Sequence, residues 1–328
     1  MVLEEFLTEW RNDSPTVLVH TSGSTGTPKP LWVEKRRMEA SARITCQFLG
    51  LKRGDTALLC MSLDYIAGKM MVVRSLTCGL RLITVQPSGH PLASLSPYHF
   101  PLDFVAMVPL QVYNSLQVSE ERSRLMQCRH LIIGGGAIDD GLADVLKTFP
   151  NAVWSTYGMT ETLSHIALRR LSGAEASQWY VPFPSVRVSL AADGCLVIDA
   201  PQVCAERLKT NDMAEMSADG CFRILGRKDN VVCSGGVKIQ IEEVERELRR
   251  HTDVPFFITK CKDAKYGEAV VLLTEQTDVA PLQTLCQQVL PRYWQPRHCV
   301  SVDRLPLTPT GKPARKEAER LASLAIEV

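Results

Sequence analysis

The chain has 328 residues, is 45% apolar, and carries 37 Lys and Arg against 36 Asp and Glu, a net charge of +1. That length suits roughly two domains with a sizeable core, and the balanced charge gives no ground for a nucleic-acid or anionic-membrane partner. No apolar run approaches the roughly 20 residues of a bilayer-spanning helix. The 11 cysteines form no CxxC pair, so neither a zinc site nor a disulfide framework is expected.

The amino terminus, MVLEEFLTEWRND, is acidic and mixed, without a basic leader or a small-residue cleavage site, so no signal peptide is expected. Reduced cysteines used as small core residues point to the cytoplasm. TVLVH, ending at His20, predicts a short strand that runs into the polar stretch HTSGSTGTPKPLW. After Pro30 the apolar positions Met38, Ala42, Cys46 and Leu49 recur at helical spacing, so the predicted order is strand, glycine-containing loop, helix. Further apolar runs (ALLCM, LRLITV, FVAMV, HLIIGGG) alternate with helical stretches such as GLADVLKTF. This predicts an α/β layout around a largely parallel sheet. From about Arg187 the texture changes to VRVSL, CLVIDA and CFRIL, broken by Asp-Gly pairs at 193–194 and 219–220, which predict hairpins. A boundary is expected at Gly226-Arg227-Lys228-Asp229, giving domains 1–226 and 227–328. Beyond it come a charged helix with Ile241, Val244 and Leu248 on one face, two apolar strands and a basic tail.

A phosphate cradle needs backbone N–H groups that converge, and glycine permits the backbone this requires. In the loop Gly23 and Gly26 supply that freedom, Ser22, Ser24, Thr25 and Thr27 add hydroxyls, and Lys29 adds a cation. The spacing is not that of the nucleotide motif GxxxxGK[ST], and a solvated Ser/Thr/Gly turn is the alternative for the loop taken alone.

Other blocks follow in order: TYGMTET from Thr156, TND from Thr210, GRKDNVVCSGGVKIQIEEVE from Gly226, and LPLTPTGKPARKE from Leu305. Behind TSGSTGTPK these resemble the adenylate-forming superfamily of acyl- and aryl-CoA synthetases, luciferases and peptide-synthetase adenylation domains. The resemblance covers about residues 17 to 318. It implies a large α/β amino-terminal domain, 1–226, shortened relative to the family, that binds ATP and the acid. It also implies a small mobile α+β carboxyl-terminal domain, 227–328, that carries the catalytic lysine. Such enzymes join a carboxylate to the α-phosphate of ATP and then let a thiol, here CoA, attack the acyl-adenylate. Both steps concentrate negative charge, so cations and oriented donors should carry the catalysis.

By the same resemblance, Thr21, Ser22, Gly23, Ser24, Thr25, Gly26 and Lys29 would wrap the β- and γ-phosphates. Thr160 would touch the α-phosphate and Glu161 would hold Mg²⁺, for which a carboxylate is a suitable hard ligand. Tyr157 would stack near the adenine, Gly135, Gly136 and Ala137 would line its pocket, and Asp212 would take the ribose hydroxyls with Arg227 beside it. Lys312 would neutralise charge at the α-phosphate during adenylation. Asp229 would be the hinge between the half-reactions, and Ser234-Gly235-Gly236 would form part of the CoA channel. Each of these residues also has a purely structural reading as a turn, cap or solvated charge.

Two departures stand out. Only twenty residues precede the loop, where relatives carry an extra subdomain; a homodimer is one way to cover the exposed flank. The acyl pocket reads Ser62-Leu63-Asp64-Tyr65-Ile66-Ala67-Gly68-Lys69, with Tyr65 where many relatives have histidine. Within the superfamily the similarity runs towards o-succinylbenzoate–CoA ligases of menaquinone synthesis, whose substrate is a dicarboxylate. Lys69 and Arg74 are then candidates for its second anionic group, and His165 for the border of its aromatic ring; the alternative for Lys69 is a snorkelling helix lysine. An adenylation enzyme loading another acid onto CoA or a carrier protein, and a non-catalytic nucleotide-binding relative, both stay open.

Overall fold

The computed structural model describes residues 1–20, 30–308 and 313–326. The first elements are Leu3–Arg11 (α1), Thr16–His20 (β1), Pro30–Glu34 (β2) and Lys35–Phe48 (α2). β1 and β2 pair antiparallel, from Thr16 with Glu34 to His20 with Pro30. The segment 21–29 therefore joins two strands of a ribbon, not a strand to a helix as the apolar spacing predicts. Leu31, Trp32 and Val33 are long or β-branched and suit the ribbon, and the helical spacing begins only with Met38, which is fully buried with Ala42.

Next come Thr56–Leu59 (β3), Ile66–Cys78 (α3), Arg81–Thr84 (β4), Phe104–Met107 (β5), Pro109–Leu116 (α4) and Ser119–Met126 (α5). They are followed by His130–Ile133 (β6), Asp140–Lys147 (α6), Ala152–Gly158 (β7), His165–Arg170 (β8) and Val181–Pro182 (β9). One sheet takes the order β4-β3-β5-β6-β7-β8-β9. Pairing is parallel from β4 to β7 and antiparallel between β7, β8 and β9. β3 and β5 are buried along their whole length, as expected of parallel strands covered on both faces. Leu58, Val105, Leu131 and Val153 from four of these strands meet Val112, Leu125 and Leu146 from the helices in one core.

The rest of the chain forms Arg187–Leu190 (β10), Cys195–Asp199 (β11), Leu208–Met216 (β12), Phe222–Arg227 (β13), Val231–Ser234 (β14), Val237–Gln240 (β15) and Ile241–Arg249 (α7). Then follow Phe256–Asp263 (β16), Gly267–Thr274 (β17), Ala280–Val289 (α8), His298–Ser301 (β18) and Arg315–Ile326 (α9). The order β10-β11-β12-β13 is that of successive hairpins, and both Asp-Gly pairs turn where the sequence predicts: Ala191 N–H reaches Cys195 O and Ser217 N–H reaches Cys221 O. β16 and β17 pair in register from Phe256 with Thr274 to Asp263 with Gly267. Their alternate residues feed two cores. Phe256, Ile258, Val270 and Leu272 pack with Val244 and Leu248 of α7 and with Leu282 of α8. Phe257, Cys261, Val271 and Leu273 pack with Ala318 and Ala322 of α9. The basic tail is thus a docked helix.

The chain divides into two compact units: Met1–Ser189, Val197–Leu208 and Met216–Arg223 in one, and Leu190–Leu196, Lys209–Glu215 and Ile224–Val328 in the other. Among the described residues no helix is long and apolar enough to cross a membrane.

Candidate active site

In an open α/β sheet ligands collect outside the carboxyl ends of the parallel strands. β6 and β7 are parallel neighbours, so Gly134-Gly135-Gly136-Ala137 after β6 and Tyr157 to Glu161 at the end of β7 share that edge. A Cβ on Gly136 would stand 3.4 Å from the Pro109 ring and one on Gly135 3.5 Å from Val108. Both are ordinary contact distances, so what asks for glycine here is the positive φ of Gly135, 80°. Tyr157 packs its ring against Phe222 (5.1 Å, edge-on) and Tyr180 (5.7 Å), and the Tyr180 hydroxyl lies 2.9 Å from Ser155 Oγ.

Thr160–Thr162 is a single 3₁₀ turn. Thr160 is buried and Glu161 exposed, and the Glu161 carboxylate makes no hydrogen bond or ion pair among the described residues. An oxygen ligand in that state suits a Mg²⁺ ion, which is usually held by one or two carboxylates together with substrate phosphates. The turn closes on Leu163, the one non-glycine residue with positive φ among the described residues (φ 65°, ψ −38°). Ser164 N–H reaches Thr162 O at 2.7 Å across it, a classic γ-turn of the rare strained hand. Backbone of this kind costs on the order of 1–3 kcal/mol and persists where the surroundings over-determine it. Thr162 does that here: its buried hydroxyl accepts from Met159 N–H at 3.0 Å and lies 2.7 Å from Ser164 O. Gly158 makes the same corner possible, since a Cβ there would fall 2.2 Å from Ser164 O.

The candidate acyl residues separate. Tyr65 caps the start of α3 and is exposed. Lys69 neither snorkels nor faces an open pocket: it is buried, donates to Leu18 O at 2.6 Å, stands 3.8 Å from Glu9 Oε2 and lies over the Phe6 ring. Burial pushes its ammonium below the ordinary lysine range, against the pull of Glu9. Its work is to tie α1 and β1 to α3.

Arg74, one and a half turns further on, is fully buried. Nη2 donates to Ser164 Oγ at 2.7 Å, Nη1 faces Met71 Sδ at 3.7 Å, and the guanidinium lies over Phe104. Nε has no partner, and no carboxylate stands within ion-pair distance among the described residues. Burial lowers its pKa to about 10, so it remains charged at neutral pH. His165 is also buried; Nδ1 lies 3.1 Å from Ser164 Oγ and Nε2 3.1 Å from Thr45 Oγ1. Burial, then the nearby Arg74 charge, holds its pKa well below the usual value, so the ring is neutral.

In the second unit the structure brings Asp212, Arg227 and Asp229 together. Arg227 Nη1 lies 3.4 Å from Asp212 Oδ1 and Nη2 3.3 Å from Asp229 Oδ2, to which Asn211 also donates at 3.2 Å. Asp229 sits in a 3₁₀ turn, Lys228–Asn230, directly after β13. Gly235 (φ 58°) and Gly236 (φ 83°) are the two-residue turn between β14 and β15, a hairpin geometry that requires left-handed backbone at both positions. Gly235 N–H is pinned by Tyr266 O at 2.8 Å. Thr21 to Gly26, Lys29 and Lys312 lie outside the described residues. Their anchors are visible, however: Leu307 bridges to Pro313, Ala314 N–H reaches Pro306 O, and Arg315 holds Glu245 with both Nη atoms at 2.6 and 2.8 Å.

The sequence reading misses Thr45, Thr162 and Ser164. Nothing in their spacing marks them, because each acts on a partner reached only through the fold. The nearest signal was the neighbourhood of Ser164 and Thr162 to His165 and Glu161.

Residues 4–201 match the family model described as AMP-binding enzyme. A 2-succinylbenzoate–CoA ligase of Bacillus thuringiensis is 24% identical over 334 residues, covering 93% of this chain and 69% of that protein. The solved structure of an acyl-CoA synthetase (AMP-forming)/AMP-acid ligase II-like protein from Dyadobacter fermentans is 34% identical, covering 97% of this chain and 92% of that one with a TM-score of 0.66. The o-succinylbenzoate–CoA synthetase of Bacillus subtilis, solved with its acyl-adenylate intermediate, has a TM-score of 0.78 at 22% identity, covering 92% of this chain and 68% of that one. The carboxyl-edge corner of β6 and β7, the match over most of the first unit and the likeness along the whole chain agree: this chain belongs to the AMP-binding enzyme family.

Proposed function

We propose that this AMP-forming acid–CoA ligase activates 2-succinylbenzoate, or an aromatic keto acid with a second carboxylate very like it, to the acyl-adenylate and passes it to CoA. The observation that carries the substrate reading is Arg74, a fully buried guanidinium with an unpartnered Nε and no carboxylate beside it among the described residues. A buried cation is costly until an anion meets it, and an acid with two carboxylates brings one to be adenylated and one to spare. Relatives named 2-succinylbenzoate–CoA ligase support the same reading.

ATP would lie along the edge formed by Gly135, Gly136, Ala137 and Tyr157, with the β- and γ-phosphates at Thr21 to Lys29, the α-phosphate at Thr160 and Mg²⁺ at Glu161. Asp212 and Arg227 would take the ribose, Lys312 the charge that develops at the α-phosphate, and Gly235-Gly236 the pantetheine arm. The region from 227 onwards would turn about Asp229 between the half-reactions. CoA, a small-molecule carboxylate and Mg-ATP are the partners this requires.

Pyrophosphate exchange over a panel of carboxylic acids tests the reading. Exchange is expected to be fastest with 2-succinylbenzoate, and Arg74→Met is expected to lose about tenfold or more in kcat/KM for that acid. A panel led by a monocarboxylate, unaffected by Arg74→Met, would overturn the substrate assignment.

A further inference from the structure

Ser164 stands where two networks meet. Its side chain receives Arg74 Nη2 at 2.7 Å and lies 3.1 Å from His165 Nδ1. Its main chain is held at both ends by Thr162, whose carbonyl takes the Ser164 N–H at 2.7 Å and whose hydroxyl lies 2.7 Å from the Ser164 carbonyl. The same Thr162 hydroxyl accepts from Met159 N–H at 3.0 Å, at the entrance to the Thr160–Thr162 turn.

One assignment of protons satisfies the hydroxyls and the imidazole of the side-chain network. A guanidinium only donates, so Ser164 Oγ accepts from Arg74; in this assignment it gives its own proton to His165 Nδ1. A neutral His165 then carries its proton on Nε2 and donates it to Thr45 Oγ1 at 3.1 Å, and Thr45 passes its proton to Ser41 O at 3.0 Å. Each hydroxyl and imidazole proton in the series then has an acceptor. Of the three guanidinium nitrogens only Arg74 Nε has no partner among the described residues; its N–H shares an edge of the planar group with Nη2.

We propose that Ser164 is a positioning residue through which an anion held at Arg74 sets the placement of the Thr160–Glu161 turn. The second carboxylate of the acid is then felt in the rate of adenylation as well as in binding. A carboxylate on Nε fixes the guanidinium plane; Nη2 fixes the Ser164 side chain; the two Thr162 bonds carry that position across Leu163 into the turn. The proposal rests on the assignment of Arg74 to the second carboxylate.

The test is pyrophosphate exchange at saturating acid with 2-succinylbenzoate and with 3-benzoylpropanoate, which keeps the ring, keto group and aliphatic carboxylate and lacks the second carboxylate. For Ser164→Ala, kcat on the dicarboxylate is expected to fall roughly ten- to hundredfold. The fall on the monocarboxylate should be smaller by about tenfold, KM for ATP should stay within about twofold, and Ser164→Thr should restore the rate. An equal loss on both acids, or no loss, overturns the proposal, since a merely structural serine cannot distinguish them. If Ser164→Ala does not fold, Ser164→Cys, of similar volume and weaker as an acceptor, is read by the same criterion. A wild-type enzyme that does not adenylate 2-succinylbenzoate overturns the substrate reading and this proposal together. Wild-type discrimination that is lost in Arg74→Met yet survives Ser164→Ala overturns this proposal alone.

Discussion

A histidine buried beside an arginine ties stability to pH in one direction. His165 has its pKa depressed in the fold, chiefly by burial, so below about pH 6.5 the unfolded chain binds a proton that the native state refuses. Stability is complete above that pH and falls as pH drops, by up to about 1.4 kcal/mol per unit. His130, pushed down to about 4 by burial and then Arg129, adds a second slope of the same sign between its ordinary value and 4. Urea unfolding of His165→Gln is expected to vary less between about pH 7.5 and 5.5 than that of the wild type; an equal pH dependence would mean that His165 is not neutral in the fold. Thr162→Val is nearly isosteric but strips partners from Met159 N–H and Ser164 O, and should cost about 2–4 kcal/mol by the same measurement. Residue by residue, the sequence told more of chemistry than of neighbours. Lys69 and Arg74 look equivalent on α3, and only the fold turns one to Leu18 O while it leaves the other without an anion among the described residues.

At the scale of elements, the tight approach of β7 and β8 makes Gly158 hard to replace. A methyl group there would stand 2.2 Å from Ser164 O and 2.5 Å from His165 Cα, so Gly158→Ala must part the strands. It is expected to cost about 2 kcal/mol or more and to slow pyrophosphate exchange with it. α7 and α9 are joined by the bidentate Arg315–Glu245 pair, in which Glu245 is 3% exposed. Removing one partner of a buried pair leaves the other uncompensated, and Glu245→Ala should lose roughly 3–5 kcal/mol; a loss near zero would show the pair to be solvated. The parallel strands and the Asp-Gly hairpins were legible because apolar runs and turn residues report local geometry. The strand Pro30–Glu34 was not, since its five residues precede a strongly periodic helix that dominates the pattern. The γ-turn at Leu163 was hidden too, because nothing about leucine announces a backbone that its neighbours impose.

Across the whole molecule, two units with separate cores predict two steps of thermal unfolding. Leu272→Ala, at a fully buried position of the second unit, should cost about 2–5 kcal/mol and lower only one of them; a single shifted transition would show one cooperative unit. The chemistry is expected to divide as well. Lys312→Ala should slow adenylation by about a hundredfold or more and largely spare transfer to CoA from an acyl-adenylate supplied ready-made. The sequence blocks made that family chemistry legible in order along the chain, whereas the acid, on the reading proposed above, is chosen by side chains that only the fold gathers from separate elements.

The ribbon of β1 and β2 carries one more consequence. Its register places His20 opposite Pro30, which brings the two ends of the nine intervening residues to about 5 Å from each other whatever those residues do. Lengthening a closed loop from nine residues to eleven costs only about 0.2 kcal/mol of closure entropy. The scaffold is thus nearly indifferent to what is written between His20 and Pro30. If that stretch holds the phosphates as proposed, a two-residue insertion should yield a protein that melts like its parent and catalyses almost nothing.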